Sequence, residues 1–560
     1  MKYLKRIASA VVCAVLMLSS TPATAFAKTT MPEYIRVGLT SAYENKQQIN
    51  IQNKTLKFID SPSNDPFDYS SIAEFYSANG FAVRVGVSYQ VVIPIDANGF
   101  DDAKAQADNY ISQGYANALP GYNNRGWTVT IYGYQSMSEA QTAAASLGGS
   151  AVAPSDVLIL SVSGDPIFLI TNTDAYFAGQ SADTNVDLGS KEYRGIMKFQ
   201  LASSGLITAV NIVDFEEYLY GVVPSEIPSS YAYEAIKAQA CAARTYALIK
   251  VQKKSDLGYD ICDTTHCQVY GGYTNESKTT TQAVVDTEGK AIYYNGSPVE
   301  ALFSSSSGGY TEDAVNVWGN DVPYLKAVPD EYETDCQTWT RTFTLSDIDK
   351  ICAANGYNIG SATGMRITID NKTSRVQKVE FIGTEGTKAI TLESCRTVFN
   401  AIGSSLSSRV FTITNGITES GNSSSGSNSN LNVALGTFVS SPIDGYTITD
   451  KNSYVIGNDC AVVYSTASGT KAYGADGKSV DLSKIPELVP FLNNAAGSSS
   501  TSTSSTGTTV IRSSGSTINI SGRAIGHGVG LSQRGANGYG QLGYDYIEIL
   551  QHYYTGVTVE

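Results

Sequence analysis

Basic charge is scarce in this chain: 38 Lys and Arg stand against 52 Asp and Glu, a net charge of −14 over 560 residues. So acidic a chain does not suit nucleic acid or an anionic lipid surface, both of which are bound through basic patches. A neutral polymer meets no such opposition. Histidine is scarcer still, with three in the whole sequence, at 266, 527 and 552. No Ser–His–Asp signature surrounds His266 or His527, and Cys267 beside His266 is not a dyad, because adjacent side chains rarely point at each other. A protease is therefore disfavoured. Long apolar runs are missing too: past the N-terminus, no segment reaches the roughly 20 apolar residues that a spanning helix needs.

What is present begins with an export signal. Lys2, Lys5 and Arg6 precede an apolar run from Ile7 to Leu18, and Ala25-Phe26-Ala27 places small residues around a cleavage point. Residues 1–27 therefore read as a secretory signal peptide, with the mature chain secreted. Seven cysteines remain after it, at 241, 262, 267, 336, 352, 395 and 460. Export permits disulfides, and an odd count leaves at least one thiol unpaired. Tyrosine is abundant, 36 against 17 Phe, and its ring-plus-hydroxyl suits wet β surfaces and sugar faces.

The patterning predicts an α+β chain: a mostly-β core with one long helix carrying the site, plus a small βα-repeat module and a β-rich insert. Residues 28–80 alternate like strands. In 81–150, the strand Phe81–Gly86 and a helix carrying Ala103, Ala107 and Ile111 precede the strand Trp127–Gly133 and a helix carrying Ala140, Ala143, Ala144 and Leu147. That order resembles a sporulation-related-repeat (SPOR) domain, a family that binds glycan strands lacking stem peptides; an ordinary α/β insertion is the alternative. Residues 155–415 form the core, with a long helix near 230–252 and a shorter one at Leu345–Ala354. Ser/Gly/Thr-rich linkers at 416–431 and 495–507 bracket the insert at 432–494. The last piece, 508–560, is expected to pack back onto the core.

The densest local signal is DFEEYLYGVVPSEIPSSYAYEAIKAQACAARTYA, Asp214 to Ala247. Pro224 and Pro228 frame Ser225-Glu226-Ile227 and stiffen a short loop. Ser229 or Ser230 can cap the helix that follows, from about Tyr231 to Val251. Lys237 and Arg244 share one helix face, with Cys241 between them. A carboxylate in a rigid loop before a Lys/Arg stripe is a plausible site.

These residues resemble the stage II sporulation protein D / amidase-enhancer (LytB-type) family, in the run GVVPSEIP followed by EAIKAQACAARTYA. Pro32 to Leu39 is similar to the family's opening strand, and Ser305 to Glu312 with Val317-Trp318-Gly319 and Pro323-Tyr324-Leu325 to its middle motif. Gly522 to Gln533 is similar to the C-terminal motif, and Leu550 to Tyr554 to the closing helix. Ala524-Ile525 departs from it, since an aromatic often precedes Gly-His-Gly there. The resemblance implies a peptidoglycan lytic transglycosylase, or a non-catalytic enhancer of an N-acetylmuramoyl-L-alanine amidase, located in the cell wall or extracellularly. Its partners would be peptidoglycan glycan strands and a cell-wall amidase. It implies Glu226 as the catalytic glutamate, with Lys237 and Arg244 binding substrate or orienting Glu226, where the alternative is surface pairing with Glu234 or Glu217, and with Ser306, Gly308, Tyr310, His527 and Gln533 on the substrate side. Burial would raise the carboxyl's pKa, while the following helix N-terminus and Lys237 would lower it. The sequence does not say which wins.

No cofactor is required by this chemistry. Cys262-Asp263-Thr264-Thr265-His266-Cys267 nevertheless offers two thiols and an imidazole within six residues, three potential zinc ligands. Some members of the family carry zinc-binding Cys and His here. Cys262, His266 and Cys267 could hold a structural zinc, Cys262 and Cys267 could form a disulfide, or both could be free thiols.

Overall fold

The computed structural model describes residues 30–60, 71–180, 184–253, 256–333, 336–419 and 507–560, and the backbone of three short strands between 462 and 480. The expected signal peptide, and most of both Ser-rich linkers, lie outside the described residues. Within the insert, Val462–Thr466, Gly469–Tyr473 and Ser479–Val480 form a three-stranded antiparallel sheet.

The fold is α+β, as the patterning predicts. The alternating run after residue 32 gives three strands, Tyr34–Gly38, Gln48–Ile51 and Thr55–Ile59. None of them pairs with another of the three. Tyr34–Gly38 lies between Ile207–Asp214 and Ile261–Cys262 in a seven-stranded sheet. Thr55–Ile59 lies toward the other side of that sheet, between Ala175–Ala178 and Ser71–Tyr76. Gln48–Ile51 edges an eight-stranded sheet.

Half of that second sheet is a β-α-β-β-α-β unit of ferredoxin-like order. It comprises Tyr89–Pro94, helix α1 (Phe100–Ser112), Ala118–Asn123, Gly126–Tyr134, helix α2 (Met137–Leu147) and Ser150–Val152. Ala107, Ala140 and Ala144 close a small core with Val91, Ile93, Val129 and Ile131. The expectation that Phe81–Gly86 opens this unit is corrected. Phe81–Val85 pairs instead with Gln48–Ile51 and Val157–Val162, and its inward residues join the main core. Two neighbouring apolar alternations look alike locally, and only their distant partners separate them.

Against the seven-stranded sheet pack helix α3 (Phe215–Glu226) and helix α4 (Tyr233–Gln252), and helix α5 (Lys278–Asp286) packs on those two helices. Helix α4 is buried almost all round from Ala235 to Leu248, because its alanines let neighbours approach on every side. A larger side chain there, such as Ala240→Leu, would overpack it at a cost of about 1–3 kcal/mol. A second core joins helix α6 (Leu345–Ala354) to strands from 338–419 and to Thr508–Ser513 and Thr517–Arg523. Gly416–Glu419 pairs with Thr508–Ser513, so the first residues assigned to a linker belong to a sheet. The C-terminal helices α7 (Gln533–Gln541) and α8 (Tyr546–Tyr553) return to α4. There Asn537 Oδ1 accepts from the Ala232 N–H at 2.7 Å and Glu234 Oε2 from the Tyr546 N–H at 2.9 Å.

Candidate functional site

Glu226 does not sit in a loop before the long helix. It is the last residue of α3, whose final turn contains Pro224. Asp214 starts that helix, its carboxylate accepting from the N–H groups of Glu216 and Glu217 at 2.8 and 3.0 Å. The helix therefore presents its negative end to Glu226, which does not favour a second negative charge. Neither Ser229 nor Ser230 caps α4; the N-cap is Ala232, which has no side-chain bond to offer.

The Glu226 carboxyl is half-buried, and burial raises its pKa above the ordinary value. The opposing influence is one hydrogen bond, from the backbone N–H of Val269 to Oε1 at 2.7 Å. Lys237 does not lower it. Its ammonium is bound to Glu234 at 2.9 Å and lies over the rings of Tyr546 and Tyr233 at 4.9 and 5.6 Å.

Val269 reaches Glu226 because residue 221 is glycine. A Cβ there would lie 2.7 Å from the Tyr270 ring and 2.9 Å from the Gly272 carbonyl oxygen. With that face bare, Gly271 N–H donates to the Gly221 carbonyl at 3.1 Å, and the 269–272 segment lies flat along α3. Tyr218 OH donates to Gln268 at 3.1 Å and steadies the same segment. Burial raises the Tyr246 phenol, and the charges of Cys267, Glu300, Cys262 and Glu226 raise it further. These ionisable groups thus share one neighbourhood. Sequence reasoning missed Tyr246, Glu300 and the Val269 N–H. Glu300, just upstream of the serine run, carried no spacing signal, and a backbone N–H leaves none.

Cys262, His266 and Cys267 come together beside this segment. Cys262 Sγ is 3.6 Å and Cys267 Sγ 3.5 Å from His266 Nδ1, and both cysteines are free thiols. All three ligand atoms lie within 4.8 Å of one another. Their mutual hydrogen bond lowers the Cys262 thiol and raises that of Cys267, so the pair holds one thiolate, the form a metal prefers, and a metal would displace the proton left on Cys267. Two sulfurs and a nitrogen in this arrangement fit three corners of a tetrahedral zinc site.

Arg244 is corrected from substrate contact to internal support. Its side chain is 0% exposed and grips Glu216 with Nε and Nη2 at 2.8 and 2.7 Å. Nη1 donates to the Lys290 carbonyl at 3.0 Å and Nη2 also to that of Val284 at 3.2 Å. It ties α4 to the first turn of α3 and so positions Glu226 from the far end of that helix. Gln533 is also buried, with its amide donating to Gln239 at 3.3 Å.

Ser306, Gly308 and Tyr310 lie together in a turn that meets the Gly526–Gly528 loop; Ser306 N–H donates to the Ile525 carbonyl at 3.2 Å. His527 stands there with its ring edge-on to Trp318 at 5.2 Å. Burial, then Arg396 and Arg375, pull the imidazole down to about 4. Its Nδ1 accepts from the Val529 N–H at 3.0 Å. It is thus a neutral ring whose other nitrogen donates to the Phe303 backbone, so both nitrogens are bonded within the protein and the ring supports the loop without offering an atom to a sugar.

The profile of the family described as "Stage II sporulation protein" matches residues 203–294, which include Glu226, α4 and the Cys/His cluster. The chain is 32% identical over 381 residues to the "Amidase enhancer" of Bacillus subtilis (strain 168), covering 68% of this chain and 45% of that protein. It is 36% identical over 159 residues to the "Stage II sporulation protein D" of the same organism, covering 25% of this chain and 46% of that one. An uncharacterized protein of Brachyspira hyodysenteriae (strain ATCC 49526 / WA1) is 25% identical over 66% of this chain and 73% of its own length. The chain thus spans less than half the length of the two named Bacillus subtilis relatives. Read with the motifs that surround Glu226, these matches make the chain a member of the stage II sporulation protein D / amidase-enhancer family.

Proposed function

We propose that this protein cuts peptidoglycan glycan strands as a lytic transglycosylase, in the cell wall or outside the cell, with Glu226 as its single acid and base. The observation that carries the reading is a half-buried carboxyl raised by burial and held by one backbone N–H. Because Oε1 accepts from Val269, the proton of the neutral acid sits on Oε2. Oε2 gives it to the oxygen joining N-acetylmuramic acid to N-acetylglucosamine, and the C1–O bond breaks. The C6 hydroxyl of the same muramic acid then attacks C1 and returns its proton to Glu226, leaving a 1,6-anhydro end. The Val269 N–H stabilises the carboxylate that exists between the two transfers. Internal attack needs no water and so no second carboxylate, unlike hydrolysis.

A zinc held by Cys262, His266 and Cys267 would act as a structural pin. It would fix the 262–267 loop, from which Val269 follows by two residues. The β-α-β-β-α-β unit, with its SPOR-like order, is read as a glycan-binding module that holds the strand near the core.

The second reading is enhancement of a wall amidase without cleavage, and the name of the relative matched over 381 residues favours it. One experiment separates the two. Peptide-free glycan strands are incubated with the mature chain and with Glu226→Gln, and the products are weighed by mass spectrometry. An anhydro-muramic product from wild type alone supports the transglycosylase. A reducing-end product redirects attention to Glu300 as a second carboxylate. If neither chain yields product but both stimulate an added amidase equally, the enhancer reading stands.

A further inference from the structure

The Ser306–Gly309 turn already holds a carboxylate, and it belongs to this chain. Glu333 Oε2 accepts from Gly308 N–H at 2.7 Å, Gly309 N–H at 3.2 Å and Ser307 Oγ at 2.9 Å, while Oε1 accepts from Ser306 Oγ. Gly308 and Gly309 have φ of +80° and +98°, which glycine adopts without strain, and in this turn their successive N–H groups both reach the one Glu333 oxygen, forming an anion-binding nest. Ser306 and Ser307 are both 0% exposed. Beneath them the buried guanidinium of Arg375 donates to the Ser307 and Tyr310 carbonyls at 2.6 and 3.1 Å, which leaves the N–H side of the turn facing the anion.

The hydroxyl of Ser307 also lies 2.7 Å from Asp330 Oδ2. One hydroxyl has one proton and cannot donate to two carboxylates. The arrangement closes if Asp330 is protonated, donates to Ser307 and leaves Ser307 to donate to Glu333. Burial and the Glu333 charge push Asp330 up to about 7, and Tyr553 OH donates to its other oxygen at 2.7 Å. The cradle is thus a set of buried donors converging on one negative oxygen pair. Its occupant comes from 24 to 27 residues downstream, on a stretch at 331–333 outside any helix or strand, and is itself only half-buried. Gly309 at the rim is exposed.

We propose that the Ser306–Gly309 turn is a receptor for a carboxylate of the wall polymer, and that Glu333 is an internal occupant which the ligand displaces. The inference rests on the glycan-strand reading above. The net charge of −14 does not oppose the neutral sugars of the strand but does oppose its carboxylates, and four donors on one anion provide a place for one. The carboxylate has two sources, the lactyl group of muramic acid in a peptide-free strand or the acids of a stem peptide. Because Glu333 competes for the same donors, its presence lowers the apparent affinity for either.

The test uses the full chain carrying Glu226→Gln, so that strands are bound and never cut. It is titrated, with and without Glu333→Ala, against peptide-free strands, the same strands with lactyl carboxylates reduced to alcohols, and isolated stem peptide. Glu333→Ala should tighten binding of one carboxylate probe about tenfold, which is about 1.4 kcal/mol, and leave reduced strands unchanged. Tightening on strands assigns the lactyl group; tightening on peptide alone assigns the stem. Unchanged or weaker binding of every carboxylate probe by a variant of normal Tm overturns the proposal. Glu333→Gln, which keeps the length and drops the charge, is measured beside it. If both variants unfold, the carboxylate is a structural tie and the proposal fails. Cleavage plays no part in the readout, so failure of the transglycosylase reading would be seen separately.

Discussion

Val269 and Glu226 are 43 residues apart and share a 2.7 Å hydrogen bond that runs past the bare backbone of Gly221. Gly221→Ala should therefore act on the site from a distance. Its Cβ would press on Tyr270 and on the Gly272 backbone, and the 269–272 segment would have to lift. Cleavage of strands should fall roughly 10²-fold, the scale of an ångström's misplacement, with a stability loss of only about 1–3 kcal/mol. Steady-state kinetics and denaturant melts measure both. Undiminished activity in the variant would show that the Val269 contact is idle.

The raised pKa of Glu226 fixes the sign of two pH effects. The acid form is the working form, so kcat/KM should be level at low pH and fall as pH rises through a value above the ordinary ~4.3 of a glutamate. For stability, both folded and unfolded carboxyls are protonated below about pH 3. Above that the unfolded group ionises first, so wild type loses stability until pH passes the folded pKa. Glu226→Gln should abolish cleavage, a loss of at least about 10²-fold. It should leave Tm unchanged at about pH 3 and raise it at about pH 8. Equal Tm differences at both pH values would contradict the burial argument.

Arg244→Gln should unsettle the fold and spare substrate affinity. It strands Glu216, whose side chain is 20% exposed, and breaking such a pair costs about 3–5 kcal/mol. Urea unfolding should show that loss while KM for strands stays within about twofold of wild type, a shift of under ~0.5 kcal/mol. A tenfold rise in KM with unchanged stability would return Arg244 to the substrate.

Elemental analysis of the purified chain should find about one zinc per protein, released when Cys262→Ser or Cys267→Ser removes a thiolate. Titration of two free thiols with no metal, or a Cys262–Cys267 disulfide on peptide mapping, would remove the pin from the mechanism.

Some of this was written in local sequence. The capping box of Thr344 and Asp347 starts a helix whose bounds, Leu345–Ala354, are those its apolar spacing predicts. The alanines of α4 announce a helix packed on all sides. Glu226 and the Cys262, His266 and Cys267 group stand out through motif and spacing. Arg244 misled because two cations seven residues apart define a helix face but not whether that face meets solvent. Glu333 carried no signal at all, being one acid in an acidic stretch.

The sequence by itself determined the periods, the family, the long alanine-rich helix and which glutamate follows Pro224 and Ser225; that this glutamate ends a helix, Phe215–Glu226, was not legible in it. Tertiary structure alone decided the partners. It decided that Phe81–Val85 joins Gln48–Ile51 and not the unit beside it, that Arg244 turns inward to Glu216, that Val269 meets Glu226 and that Glu333 fills the Gly308–Gly309 nest. The reason is physical. Periodicity encodes which side of an element is apolar, whereas a hydrogen bond or ion pair across tens of residues depends on how several such sides are buried at once.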